Sequence, residues 1–115
     1  MPYLQFEINK KVCNETKEEF AKEIQTAYSG IMNSDTNNIA ISLREVDKYN
    51  LSLGRANTSD DICFISLDIA EGKTLEQRRE LAKSFTSIVK TNFQVDENNQ
   101  FITFTQHEEE GYHLV

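Results

Sequence analysis

A chain of 115 residues lies in the usual size range for one domain and is too short for two independent cores, so a single domain over residues 1–115 is expected. Hydrophobic residues at 38%, with four glycines and one proline, exclude a disordered polar chain and a collagen-like one. Twelve Lys+Arg against nineteen Asp+Glu leave a net charge of −7, which argues against nucleic acid or an anionic membrane surface as partner, because both need a basic footprint.

Met1-Pro2-Tyr3-Leu4-Gln5 has no basic region ahead of a hydrophobic stretch, and no apolar run approaches the roughly 18 residues of a membrane span, so a soluble cytoplasmic protein is expected. Tyr3–Ile8 alternates with period two from Leu4 onward and reads as a strand. Thr16-x-x-Glu19 has capping-box spacing, and Phe20, Ile24, Ala27, Tyr28 and Ile31 after it share one face of a helix. Asp35-Thr36-Asn37-Asn38 is a turn-rich stop, followed by the strand Ile39–Leu43. The stretch Lys48–Ser59 reads as a short edge strand or hairpin able to pair with a neighbouring subunit. Cys63–Ile69 is a second, more apolar strand, and Thr74-x-x-Gln77 a second capping box. Leu81, Phe85, Ile88, Val89 and Phe93 form a second helical stripe, Asp96–Asn99 a second stop and Phe101–Phe104 a last strand.

The two halves repeat at an offset of 61. Residues 2–46 laid on 63–107 without a gap pair Ile8 with Ile69, Glu15 with Glu76, Glu19 with Glu80, Ala21 with Ala82 and Lys22 with Lys83. Further on they pair Asp35 with Asp96, Asn37 with Asn98, Asn38 with Asn99 and Ile41 with Ile102. The unit is β-α-β twice, each with parallel strands and a right-handed crossover, giving an α/β fold in which a four-stranded mixed sheet carries two helices on one face. Leu4, Phe6, Ile41, Leu43, Ile65, Leu67, Ile102 and Phe104 are expected to divide between the two sheet faces, leaving one uncovered and favouring self-association.

Met1-Pro2-Tyr3 opening such a doubled unit, Ala27-Tyr28-Ser29-Gly30 in the first helix, Leu51-Ser52-Leu53-Gly54 between the units and Glu71-Gly72-Lys73-Thr74 before the second helix carry a resemblance. With them the chain resembles the tautomerase superfamily, most of all its cis-3-chloroacrylic acid dehalogenase branch, and in plan the macrophage migration inhibitory factor branch. The resemblance spans nearly the whole chain and implies a homotrimer. It also implies an amino-terminal proline, freed when Met1 is removed, as general acid–base in tautomerising a small 2-oxo or enol carboxylic acid. The chemistry is sound: an α-amino group titrates near 7.7–8.0, apolar burial disfavours its cation, and the neutral amine can move a proton between carbon and oxygen. Pro2 as the start of an edge strand where no N–H is needed is the alternative.

Ligands of α/β sheets sit beyond the carboxyl ends of parallel strands. Lys73 stands where the resembling dehalogenases have one of two carboxylate-holding arginines, and Ala70 replaces the other. A lysine lacks the planar two-point contact of arginine. Arg44 and Arg55 are further candidate cations for the substrate carboxylate, within the chain or across a subunit boundary. Tyr28 takes the place of that branch's helix histidine and Thr103 that of its water-orienting tyrosine, while Glu109 and Glu110 are loose counterparts of its C-terminal glutamate. These departures leave hydration of an alkene unsupported and keep a second reading open, a non-catalytic oligomeric binding protein that has lost the site. Ile69, Phe101 and Phe104 are candidates for an apolar wall around Pro2. No cofactor or metal is implied: Cys13 and Cys63 fit neither a disulfide framework nor zinc spacing, and His107 and His113 have no Cys or carboxylate at ligand spacing. Cys63, the repeat counterpart of Pro2, reads as a small hydrophobe.

Overall fold

In β1 (Tyr3–Ile8) every second side chain, Leu4, Phe6 and Ile8, is buried, as its alternation demands. The computed structural model describes residues 1–108. After β1 come α1 (Asn14–Met32), β2 (Ala40–Glu45), β3 (Cys63–Ala70), α2 (Leu75–Phe93) and β4 (Gln100–His107), in the sheet order β2-β1-β3-β4. β1 pairs parallel with β2 and β3 parallel with β4, while the central β1–β3 pair is antiparallel. The repeat is reproduced residue for residue in the helices: α1 advanced by 61 gives the bounds of α2, and the left-handed closing residues Asn33 and Gln94 stand at the same offset. A short 3₁₀ turn follows each helix, capped by Asp35 on the Asn37 N–H and by Asp96 on the Asn98 N–H, both at 2.9 Å.

Both helices cover the same sheet face. Phe6, Phe20, Phe85 and Phe93 meet there, with ring centroids 4.9 Å apart for Phe6–Phe20 and 4.5 Å for Phe20–Phe93. The expected division of apolar residues between the faces is corrected. Leu4 pairs with Ile41 and Leu67, Phe6 with Leu43 and Ile65, and Ile102 and Phe104 sit opposite Ile65 and Leu67, so all eight share the helix-covered face. Partners in register must point the same way. The open face carries Tyr3, Gln5 and Glu7 on β1, Ser42 and Arg44 on β2, Phe64, Ser66 and Asp68 on β3, and Phe101, Thr103 and Thr105 on β4. The antiparallel centre of the sheet allows such a face to meet water.

Two local expectations are also corrected. Residues 48–59 form turns and no strand, closed by Asn50 N–H to Asp47 O and Ala56 N–H to Leu53 O, both at 2.9 Å. The capping box forms at Thr74–Gln77, but α1 starts at Asn14 with Cys13 at its N-cap and no side-chain cap, so Thr16 lies inside the first turn. Among the described residues no helix is long and apolar enough to cross a membrane.

Candidate functional site

Because β1 runs against β3, the start of β1 shares one end of the sheet with the finish of β3 and β4, the finish of α1 and the start of α2. Pro2 stands at that end. It is buried, its carbonyl oxygen accepts the Ala40 N–H at 3.0 Å, and the next residue, Tyr3, is the register partner of Asp68. With Met1 attached, the Pro2 nitrogen is an amide and cannot act as a base. The Met1 amine is held below its ordinary value by partial burial.

Lys73 lies in the turn between β3 and α2, which Gly72 makes with a φ of 94°. Its Nζ donates to Met32 O at 3.4 Å and Gln77 Nε2 to Ile31 O at 3.4 Å, so both satisfy carbonyls at the end of α1. Lys73 is thus fixed above the sheet end, on the helix side. On the open side of the same end, His107 Nε2 lies 3.1 Å from Asp68 Oδ1 and Gln5 Nε2 donates to Asp68 Oδ2 at 3.2 Å. The Glu71 N–H donates to His107 O at 3.0 Å and ties the Lys73 turn to the end of β4. Sequence spacing missed this His107–Asp68 pair, since the two are 39 residues apart; only shared strand parity and register bring them together.

Other candidates fall elsewhere. Tyr28 is 2% exposed and packs in the core. The proposed wall does not assemble: Ile69 and Phe104 face the helix-covered core, whereas Phe101 is 48% exposed on the other face, against Phe64. Phe101 pairs with Phe64, five residues back along β3 from Ile69, roughly 16 Å down the strand. Thr103, opposite Ser66, lines with Phe64, Phe101, Leu53 and Glu7 a cavity of about 430 Å³ on the open face. Arg44 is exposed and pairs with Glu7 at 3.7 Å. The Arg55 guanidinium is taken by the Asn98 and Gln100 carbonyls at the far end of β4. Within one chain neither arginine meets Pro2. Cys63 is fully buried, and burial pushes its thiol up to about 12, so it is a core hydrophobe. Glu109, Glu110 and His113 lie outside the described residues. Among the described residues no cluster of metal-ligating side chains occurs.

The Tautomerase enzyme family matches residues 64–114, the second β-α-β unit. Macrophage migration inhibitory factor of Toxoplasma gondii is similar in structure, with a TM-score of 0.86 at 13% identity over 97% of this chain and 95% of that one. FG41 malonate semialdehyde decarboxylase inhibited by 3-bromopropiolate gives 0.82 at 12% identity, over 98% of this chain and 88% of that one. A fused 4-OT symmetric trimer gives 0.83 at 13% identity, over 92% and 85%. No curated protein sequence matches the chain. The second β-α-β unit thus matches the Tautomerase enzyme family, and the chain as a whole has the fold of these structures.

Proposed function

We propose that the protein is a tautomerase or isomerase in which Pro2, freed by removal of Met1, is the general acid–base for a small 2-oxo or enol carboxylic acid. The observation that carries this reading is the seating of Pro2, buried at the start of β1, at the sheet end where the β3–α2 turn presents Lys73. The neutral secondary amine takes the proton from one atom of the enol system and returns one to carbon, while Lys73 turns from the Met32 carbonyl to the substrate carboxylate. Arg44 or Arg55 of a neighbouring copy is a candidate second cation, because one chain alone does not bring them to Pro2. A homotrimer is the assembly we propose. Its support is the open sheet face and the trimers named among the structural relatives.

Intact mass after untagged expression shows whether Met1 is removed, and ketonisation of enol phenylpyruvate then tests the base. Pro2→Ala is expected to lower kcat by about 10²-fold or more. Processed wild type and variant of equal, slow rate would sink the enzyme reading. That result would favour the non-catalytic oligomeric binding protein, the reading supported by Ala70 beside the turn and by Tyr28 locked in the core.

A further inference from the structure

We propose that Gln106 is a further catalytic residue of this site, its amide Nε2 hydrogen-bonding the substrate's oxo oxygen while Pro2 moves the proton at the neighbouring carbon; the inference rests on the Pro2 reading above. The sheet register carries it. Tyr3 stands opposite Ala40 on one side and Asp68 on the other, so Pro2, one residue earlier, comes level with Ile39 and Ile69. The Ala40 N–H on the Pro2 carbonyl, at 3.0 Å, extends the ladder that far. Ile69 in turn is the register partner of Gln106. Ile39, Pro2, Ile69 and Gln106 thus form one row across all four strands, and residues in one row present their side chains to the same face. That face is the helix-covered one, for Ile39 and Ile69 belong to its core, and Pro2 is buried as well. Gln106 is the exposed member of the row, and its amide has no hydrogen-bond partner among the described residues.

Three groups at this sheet end match the three substituents of a 2-oxo acid's carbonyl carbon. Pro2 and Gln106 flank β3 from its two sides, two strand spacings or roughly 10 Å apart at the backbone. Between them the chain leaves β3 for the turn that carries Lys73, whose Nζ reaches the Met32 carbonyl on the helix side. Ile69 is fully buried under the helices, so the substrate sits off the end of β3 rather than over it, where removal of Met1 gives room beside Pro2. A trigonal carbonyl carbon placed there turns its neighbouring carbon to Pro2, its carboxylate to Lys73 and its oxygen to Gln106. In the step itself the Pro2 nitrogen takes a proton from the neighbouring carbon, the C=C bond forms and the C=O electron pair moves onto oxygen. The Gln106 N–H stabilises that oxyanion without giving up its proton, as amide donors do in oxyanion holes. The oxyanion then takes a proton from solvent and the Pro2 ammonium returns one to solvent, so atoms and charge balance. Ketonisation runs the same steps in reverse.

The experiment is ketonisation of enol phenylpyruvate by processed protein carrying Gln106→Met, Gln106→Glu or Pro2→Ala, with kcat and KM separated and the pH varied. Methionine keeps the length of glutamine and lacks its donor, and at an exposed position it leaves the fold intact, which a thermal melt checks. Gln106→Met is expected to lower kcat about 10²-fold with KM little changed. Gln106→Glu is expected to lose as much near neutral pH. Relative to wild type it should recover as pH falls toward about 5, where more of the new carboxyl is protonated and donates again. A kcat for Gln106→Met within about threefold of wild type overturns the proposal, and if Pro2→Ala is inactive in the same series the Pro2 reading stands without it. An effect of Gln106→Met confined to KM, or a ratio of Gln106→Glu to wild type that does not move with pH, also overturns it, because the amide then only binds or holds structure. Full activity of Pro2→Ala brings down both readings.

Discussion

Asn9 is the polar residue on which the connection between the two β-α-β units depends. It is 2% exposed; its Nδ2 donates to Lys48 O at 2.9 Å and Asp60 O at 3.1 Å, and its Oδ1 accepts the Ile62 N–H at 2.7 Å. One side chain thereby satisfies backbone groups at both ends of the loop that joins β2 to β3. Asn9→Ala would strand those groups in a dry place and is expected to destabilise the fold by about 3 kcal/mol, read from urea unfolding. A loss below about 1 kcal/mol would mean that water takes over these bonds. Nothing in the one-residue motif of an asparagine after a strand announces this role, since each partner is supplied by tertiary folding. The same holds for Tyr28. Its place on the apolar helix stripe was readable, and the structure makes it core.

At the scale of elements, the two helices have equal lengths and different beginnings. Thr74 Oγ accepts the Gln77 N–H at 3.0 Å and Gln77 Oε1 accepts the Thr74 N–H at 2.9 Å, whereas the Thr16 hydroxyl makes no such cap and lies 3.1 Å from Cys13 Sγ. Thr74→Ala is therefore expected to cost about 1 kcal/mol and Thr16→Ala a few tenths, a contrast that thermal melts of the two variants resolve. The offset of 61 itself places Thr74 over Cys13, so local capping spacing and the repeat disagreed at Thr16, and the repeat was the better guide. Before α1, the Glu45 carboxylate accepts the Val12 N–H at 2.7 Å and pairs with Lys17 at 2.9 Å, and these bonds hold it below its ordinary range.

Asp61, just before β3, anchors the end of the loop. Burial raises its pKa, but hydrogen bonds from Lys48 and Lys10 outweigh burial and hold it below the usual carboxylate value. A carboxylate depressed in the folded state contributes stability that is complete above its unfolded pKa of about 4 and is lost as pH falls through the lower folded value. Wild type is thus expected to lose stability below about pH 4 more steeply than Asp61→Asn. At neutral pH that variant is weaker by about 1 kcal/mol, a figure kept small by solvent screening at side chains 26% to 35% exposed. Parallel curves for the two proteins in acid would refute the assignment.

For the whole molecule, the open sheet face is the surface through which the proposed trimer would form. Its central rows are polar, with Gln5, Ser66 and Asp68, and its apolar part lies at Tyr3, Phe64, Phe101 and the cavity lined by Leu53. If this face is the trimer contact, Phe101→Glu should place a charge against an apolar partner surface and shift light scattering from trimer toward monomer. Wild type that is monomeric at micromolar concentration would refute the assembly. Exposed apolar area alone does not compel association, contrary to the expectation from strand composition, because register turns Leu4, Phe6, Ile41, Leu43, Ile65, Leu67, Ile102 and Phe104 all toward the helices.

The sequence by itself determined the doubled β-α-β unit, the buried stripes of both helices and the place of Pro2 at the head of β1. Each of these is written in local periodicity, in turn chemistry or in a repeat that needs no knowledge of distant contacts. Only the tertiary structure decided which face each strand residue takes, that Lys73 rests on the end of α1, that Arg44 and Arg55 are engaged away from Pro2 and that His107 meets Asp68. The physical reason is that parity along a strand is local, whereas the pairing of strands, the side the helices cover and the contacts of long side chains are settled between segments 40 or so residues apart.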